Sequence, residues 1–380
     1  MRICITGPTP PYRSGISRHT HALATALTKI PGVEVEVFSF SRQYPKLFYP
    51  GADDRDPGLA PPETYPCHYT VDTLNPASWI ETASRIDRAE PDLVLIPAWT
   101  FFTAPCLEAI ARWLEKRGRH VRMIVHNAAD HESSKWKAAL LKRQLQAASS
   151  FIVHNRAMAN DLKKIADKPV IVSPLPLFDD YPPPLGLLPR ERDLELLFFG
   201  VVRPYKGLDI AIKALAASGL ENVRLSVVGE FWSGRKEIEN LIETLDLGDR
   251  IEMVAEFVSD RTAAEYFARC DAVIASYRRV TGSAVVALAQ HYRRPVIASD
   301  LPGFREALTH GKTGWLFENE NANALAELLR NDVTRASAER MRPDLEAQSC
   351  LLSWDRYARA AIDREVGLLS SIVQRKDAAA

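Results

Sequence analysis

The sequence is poor in the features that would commit a chain early to one class. Its 48 Lys and Arg balance 48 Asp and Glu over 380 residues, so no charge excess calls for a nucleic-acid partner. No apolar run approaches the ~20 residues of a bilayer span. The opening MRICITGPTP lacks a basic stretch ahead of a long apolar core, so no secretory leader is expected. The five cysteines (Cys4, Cys67, Cys106, Cys270, Cys350) are scattered, without a CxxC pair, as expected of reduced thiols in a cytoplasmic protein. No GxGxxG follows a strand-like run, which speaks against a dinucleotide-dependent oxidoreductase. These numbers fit a soluble cytoplasmic enzyme, and the length leads us to expect two domains.

What the chain does have is alternation. RICIT, VEVEVFSF, DLVLIPAW, RMIVHN and FIVHN read as buried strands, with helices predicted between most of them. The first helix is expected from about Ser17 to Lys29, after the proline-rich loop GPTPPYRSGISRHT. Residues 41–75, rich in Pro and Tyr, read as an irregular excursion. Periodicity is lost at DDYPPPLGLLPRERD, the linker, and then LELLFFG, RLSVVGEFW, RIEMVAEFV, DAVIASY and RRPVIASD restart the pattern. A last helix is predicted over about Trp354–Val373. Strand–helix alternation in both halves implies two doubly wound parallel sheets, an α/β fold with its ligand in the cleft between the domains. The boundaries expected are 1–184 for the first domain and 185–353 for the second.

The second half is organised around DAVIASYRRVTGSAVVALAQHYRRPVIASDLPG. Here a buried strand meets the small turn Thr281-Gly282-Ser283, then the helix VVALAQHY and another strand. A helix N-terminus has N–H groups with no intrahelical partner and attracts anions, phosphate above all. A nucleotide-sugar diphosphate is the ligand expected there.

FFGVVRPYKGLDIAIKAL, VVGEFW, EFVSD, ARCDAVIASYRRVTGSAVVALA, RRPVIASDLPGFREAL and GKTGWLF occur in an order and spacing that resemble the donor-binding domain of retaining glycosyltransferases of family four. GPTPPYRSGISRHT and HNAADHE are similar to the matching N-terminal loops. The resemblance covers nearly the whole chain and implies the GT-B fold, two Rossmann-like domains, with the last helix, within 354–380, packing back on the first. It implies an enzyme moving a hexose from a UDP- or GDP-linked sugar to a sugar or lipid-linked acceptor with retention of configuration. Arg203 and Lys206 then match two cations that grip the donor diphosphate, where fixed positive charge would stabilise the leaving group. His126 matches a histidine facing the donor sugar. Gly15, Glu230, Phe257, Val258, Thr281, Gly282, Ser283 and Ala284 fall on positions that hold the nucleotide sugar, with the base near Glu256-Phe257-Val258.

One departure stands out. Many relatives carry two glutamates in the organising stretch, at positions filled here by Val280 and Leu288, so the groups holding ribose and sugar hydroxyls are left open. No paired carboxylates stand at strand ends, and the leaving phosphate is expected to take the acceptor proton. No bound metal is expected. Asp54-Arg55-Asp56 resembles a metal signature of another sugar-transferase class but lies in a polar turn, and a site at His126, Asp130, His131 and Glu132 would have to converge across a loop. Glu132 is a candidate acceptor contact, and Glu306 a supporting residue. Two other classes stay open: a non-catalytic nucleotide-sugar-binding protein, and a nucleotide-sugar epimerase on the same fold. Finally, SSKWKAALLKRQLQAA sets Trp136, Leu140 and Leu141 beside Lys135, Lys137, Lys142 and Arg143. That pattern is compatible with an ordinary surface helix or with weak contact to an anionic membrane.

Overall fold

A computed structural model describes residues 1–45, 53–56, 58–127 and 135–363. Its contacts divide the chain into two compact units, Met1–Pro174 with Trp354–Ala380, and Leu175–Ser353.

The first unit holds seven strands: β1 (Arg2–Thr6), β2 (Glu34–Arg42), β3 (Cys67–Asp72), β4 (Leu93–Ala98), β5 (Val121–Val125), β6 (Ser150–Val153) and β7 (Val170–Val172). They form one sheet in the order β3-β2-β1-β4-β5-β6-β7, every pairing parallel. Every residue of β4 and β5 is buried, as a parallel sheet covered on both faces requires. The order reverses direction between β1 and β4, so the loops leaving those strands diverge and open a crevice at the carboxyl edge.

The second unit repeats the plan with β8 (Leu194–Phe199), β9 (Val223–Val228), β10 (Ile251–Val254), β11 (Ala272–Ala275), β12 (Val296–Ser299) and β13 (Gly314–Phe317). Their order is β10-β9-β8-β11-β12-β13, again all parallel, with the reversal between β8 and β11. Each half is therefore a Rossmann-like α/β unit with its own apolar core.

The stretch 41–75 is less irregular than its composition implies, because β3 lies within it and pairs on β2 at the sheet edge. The helix Pro76–Arg88 follows, started by Asn75, whose side chain accepts the Ala77 N–H, and by Pro76 in the first turn. The passage between units comes ten residues before the expected 184/185 boundary. Residues after Pro174 belong with the second unit: Leu177 N–H bonds the Leu352 carbonyl, and the Tyr292 hydroxyl bonds the Pro182 carbonyl. Arg190 closes the run with a bidentate pair to buried Asp271, at 3.0 and 2.7 Å.

After Ser353 the chain returns to the first unit as the helix Trp354–Ile362, laid against the helix Gly15–Thr28. Trp354, Tyr357, Ala358 and Ala361 face inward. Arg122, 2 % exposed on β5, bonds the Ala361 and Asp363 carbonyls at 2.8 Å each, and so caps the end of the returning helix. The rest of the helix expected to Val373 lies outside the described residues. No helix among the described residues is long and apolar enough to cross a membrane.

Candidate functional site

In the second unit the candidate residues gather at the carboxyl ends of β8 to β11. Gly200 follows β8 at φ 89°, and the Pro204–Lys206 turn of 3-10 helix then leads to Gly207 at φ 65°. A Cβ at Gly207 would run into the Ser276 carbonyl oxygen, so only glycine lets this loop lie against the end of β11. Three further links hold the two loops together. Ser276 Oγ donates to the Gly207 carbonyl at 2.7 Å, Arg278 N–H to the Tyr205 carbonyl at 2.7 Å, and Arg278 Nη1 to the Pro204 carbonyl at 2.7 Å. Arg278 also forms a bidentate pair with Asp209, at 3.0 and 2.8 Å. Burial alone would raise the Asp209 carboxyl, but that pair outweighs it and holds the group below its ordinary range.

The loop delivers Lys206 to the place where a helix begins. A methyl at Gly200 would stand 3.4 Å from Lys206 Nζ and 3.5 Å from Val285, so ammonium, glycine and the first turn of the helix Ala284–His291 share one small region. Lys206 is 8 % exposed, and its Nζ lies 5.6 Å from the Tyr277 ring centroid. Burial, and then the neighbouring Arg203 charge, bring its pKa down to about 8. Ser283 starts the helix, its Oγ accepting the Val286 N–H at 3.4 Å. Thr281 and Ser283 are partly covered, while Gly282 and Ala284 are exposed. Two buried or half-buried cations beside a helix N-terminus make a region that favours a polyanion.

Arg203 lies between aromatic rings, 5.4 Å from the Tyr205 centroid and 5.7 Å from that of Trp232. Trp232 donates its indole N–H to Glu230 at 3.2 Å, so Glu230 joins the same cluster from the end of β9. Gly229 lets β8 and β9 close up there, since a Cβ on it would strike the Gly200 carbonyl. Phe257 and Val258 follow β10, and Phe257 is 46 % exposed, unusual for so large an apolar side chain. Leu288, at one of the two glutamate positions, is buried in the helix core, and Glu306 is exposed on the helix Pro302–Ala307.

In the first unit, the helix Gly15–Thr28 begins two residues earlier than its sequence suggests. Ser14 caps it by accepting the Ser17 N–H at 3.0 Å, which leaves Gly15 as its first residue. His126 follows β5, its N–H bonding the Ala98 carbonyl, and Asn127 donates to the Trp99 carbonyl. His126 does not stand apart: its Nδ1 lies 3.2 Å from His154 Nε2, and its ring meets His19 edge-on at 4.6 Å. Burial holds His19 and His126 well below the ordinary imidazole range, and brings His154 to about 4, so all three rings are neutral at pH 7. Asp130, His131 and Glu132 lie outside the described residues. Asp54 and Asp56 accept backbone N–H groups of Tyr44 and Gly58, and Arg55 bonds the Tyr12 hydroxyl, so that triplet has a structural occupation.

Two family models divide the chain as its units do. The Glycosyltransferase Family 4 model matches residues 13–176, and the Glycosyl transferases group 1 model matches residues 186–342. The chain is a GT-B glycosyltransferase of the family 4 and group 1 type. Among relatives, a D-inositol 3-phosphate glycosyltransferase of Pseudarthrobacter chlorophenolicus is 30% identical over 190 residues, 46% of this chain and 44% of the relative. The match thus spans less than half of that relative's length. A GDP-mannose:glycolipid 4-beta-D-mannosyltransferase of Xanthomonas campestris pv. campestris is 24% identical over 260 residues, 67% of this chain and 70% of the relative. Anabaena HepE in complex with UDP-glucose shares the fold at TM-score 0.67 and 16% identity, over 97% of this chain and 99% of that one.

The histidine cluster of this glycosyltransferase was foreseen only in His126. A signal for the rest exists: β5 and β6 both end in IVHN, and Val125 pairs with Val153. The same tetrapeptide in register on adjacent parallel strands must set His126 beside His154. Nothing comparable announces His19.

Proposed function

We propose that this glycosyltransferase moves a hexose from a nucleotide-diphosphate sugar to a sugar or lipid-linked acceptor, with retention of anomeric configuration. The observation that carries the reading is Lys206, buried against the N-terminus of the helix Ala284–His291 with Arg203 on the same loop. A glycosyl donor breaks to a nucleoside diphosphate, and fixed charge placed where the leaving oxygens develop theirs lowers the barrier most. Gly282, Ser283 and Ala284 offer N–H groups to the phosphates, as does Thr281 its hydroxyl. Phe257, Val258 and Glu230 take the nucleoside, and His126, with Gly15, serves the sugar and acceptor side. With no protein nucleophile invoked, the acceptor attacks on the face that the diphosphate leaves, and the diphosphate takes its proton. The names of the relatives support GDP- or UDP-linked donors.

The test is incubation with a panel of UDP-, GDP- and ADP-sugars plus candidate acceptors, reading nucleotide release and the anomeric signal of the product. One donor class should release nucleotide in proportion to product. Tight donor binding without turnover for every acceptor would overturn the catalytic reading, and an inverted product the stereochemical one.

The same reading includes weak peripheral contact with anionic membrane through the helix Lys135–Gln146. Leu141 and Leu145 are buried in the unit, whereas Trp136 is 58 % exposed with its ring edge-on to Phe101. Arg143, although exposed, is engaged by Glu108 at 3.2 Å; Lys135 and Lys142 are exposed as well, and Lys137 lies over the Phe101 ring. At about 1 kcal/mol per lysine near an anionic surface, such docking is weak and sensitive to salt.

A further inference from the structure

We propose that His19, His126 and His154 form a binding site for a divalent transition-metal ion, with zinc the best match to the donor set. The three residues come from separate parts of the first unit: the helix Gly15–Thr28, the end of β5 and the end of β6. One ring nitrogen from each can be chosen so that all lie within 4.8 Å of one another. Tetrahedral zinc with nitrogen ligands at about 2.0–2.1 Å sets those nitrogens roughly 3.3 Å apart. The His126 Nδ1 and His154 Nε2 pair already stands at 3.2 Å. The remaining separations, within 4.8 Å, would have to shorten by at most about 1.5 Å to close the triangle on an ion.

A second observation points to a ligand independently. His19 is 1 % exposed, and neither of its ring nitrogens has a hydrogen-bond partner among the described residues. A neutral imidazole needs one donor partner and one acceptor partner, and burying both nitrogens without either is unfavourable. The surroundings give no relief. Trp354 and Tyr357 of the returning helix meet the His19 ring edge-on at 5.1 and 5.2 Å, and the Tyr357 hydroxyl is likewise buried without a partner. An ion bonded to one His19 nitrogen would turn this defect into the strongest contact in the region.

The donor set selects the ion. Three neutral imidazoles suit zinc, copper, nickel or cobalt, whereas magnesium, manganese and calcium prefer oxygen ligands. Three protein ligands leave a fourth position for water or another small ligand. The site differs from both metal arrangements weighed from the sequence, the Asp54-Arg55-Asp56 turn and the His126–Glu132 loop, and shares only His126 with the second.

The experiment uses the full chain after removal of any affinity tag. Metal content is measured by mass spectrometry after gel filtration, and Co²⁺ is titrated into metal-free protein while visible absorption is followed. The expected result is about one zinc per chain, and intense d–d bands of four-coordinate Co²⁺ that zinc displaces. His19→Leu and His154→Leu should each weaken Co²⁺ binding by more than about tenfold, while Lys206→Met should leave it unchanged. Metal-free protein showing no Co²⁺ spectrum and no bound zinc overturns the proposal, as does undiminished binding in both leucine variants. Should those variants not fold, the wild-type spectrum and stoichiometry decide alone. None of these readings depends on sugar transfer, so a failed glycosyltransferase assay leaves them standing.

Discussion

Replacing Lys206 by methionine keeps the length of the side chain and removes its charge, which separates what the loop does for folding from what it does for an anionic ligand. In the free protein the charge is a burden. The pKa falls from 10.5 to about 8, and burial is the larger cause, ahead of the Arg203 charge. At 1.36 kcal/mol per unit, the protonated ammonium costs the folded state roughly 3 kcal/mol relative to the neutral amine. The sign follows from proton counts. Between pH 8 and 10.5 the unfolded chain holds the proton that the folded chain has released, so wild-type stability rises across that window, and the penalty is fully present below it. Lys206→Met should therefore be more stable than wild type at pH 7, by about 1–3 kcal/mol, with the gain vanishing towards pH 10. Urea unfolding at pH 7, 8.5 and 10 measures it. Nucleotide release should meanwhile fall by about 10²–10³, the loss expected when one preorganised charge is removed from a leaving group. In wild type, kcat/KM should decline as pH rises past about 8. A methionine variant that is less stable at pH 7 and turns over normally would refute the account of Lys206 as a charge stored for a polyanion.

Arg203→Ala should lower turnover by a similar ~10²–10³ while circular dichroism stays native, and near-normal rates would remove Arg203 from the leaving-group site. Gly207→Ala forces a methyl into the Ser276 carbonyl at a backbone angle of φ 65°, so it should destabilise the protein by about 3 kcal/mol or more, read by urea midpoint. Mg²⁺ or Mn²⁺, added or withheld, should change turnover no more than about twofold, because fixed cations serve the phosphates; strict dependence on either ion would contradict that. Co-sedimentation with anionic vesicles at low salt should capture the protein weakly and be lost on Trp136→Ser with Lys142→Glu; no capture of wild type means that the helix Lys135–Gln146 has no lipid role.

Central parallel strands were readable because they are almost wholly apolar, as LVLIPA is, and such a run is best used buried on both faces of a sheet. β3 escaped notice because CHYTVD is a half-buried edge strand after a proline-rich stretch, with histidine and aspartate where a central strand would carry aliphatics. Proline and charge density mark a linker without saying which side it packs on. That was settled by single hydrogen bonds from Leu177 and Tyr292. The loops around Arg203, Lys206 and Ser283 were found through their place in a motif series, but no pattern of residues signals that Lys206 is buried or that Arg278 anchors the loop. His19 was out of reach for another reason: its neighbours come from strands more than 100 residues away and from a helix near the end of the chain.

The return of the chain to its first unit has a consequence for synthesis. During translation the strands β1 to β7 emerge early and can pair, yet the helix that covers His19 and is capped by Arg122 lies beyond the whole second unit. On the ribosome the second unit is therefore complete before the first, and the half that starts earliest finishes last. Until Trp354 and Tyr357 arrive, the flank of the helix Gly15–Thr28 stays bare and apolar, a surface for chaperones to hold. Chains stalled or cut after the second unit would carry a folded C-terminal core and an N-terminal sheet still waiting for its cover, recognisable as a species protected from protease in one half only.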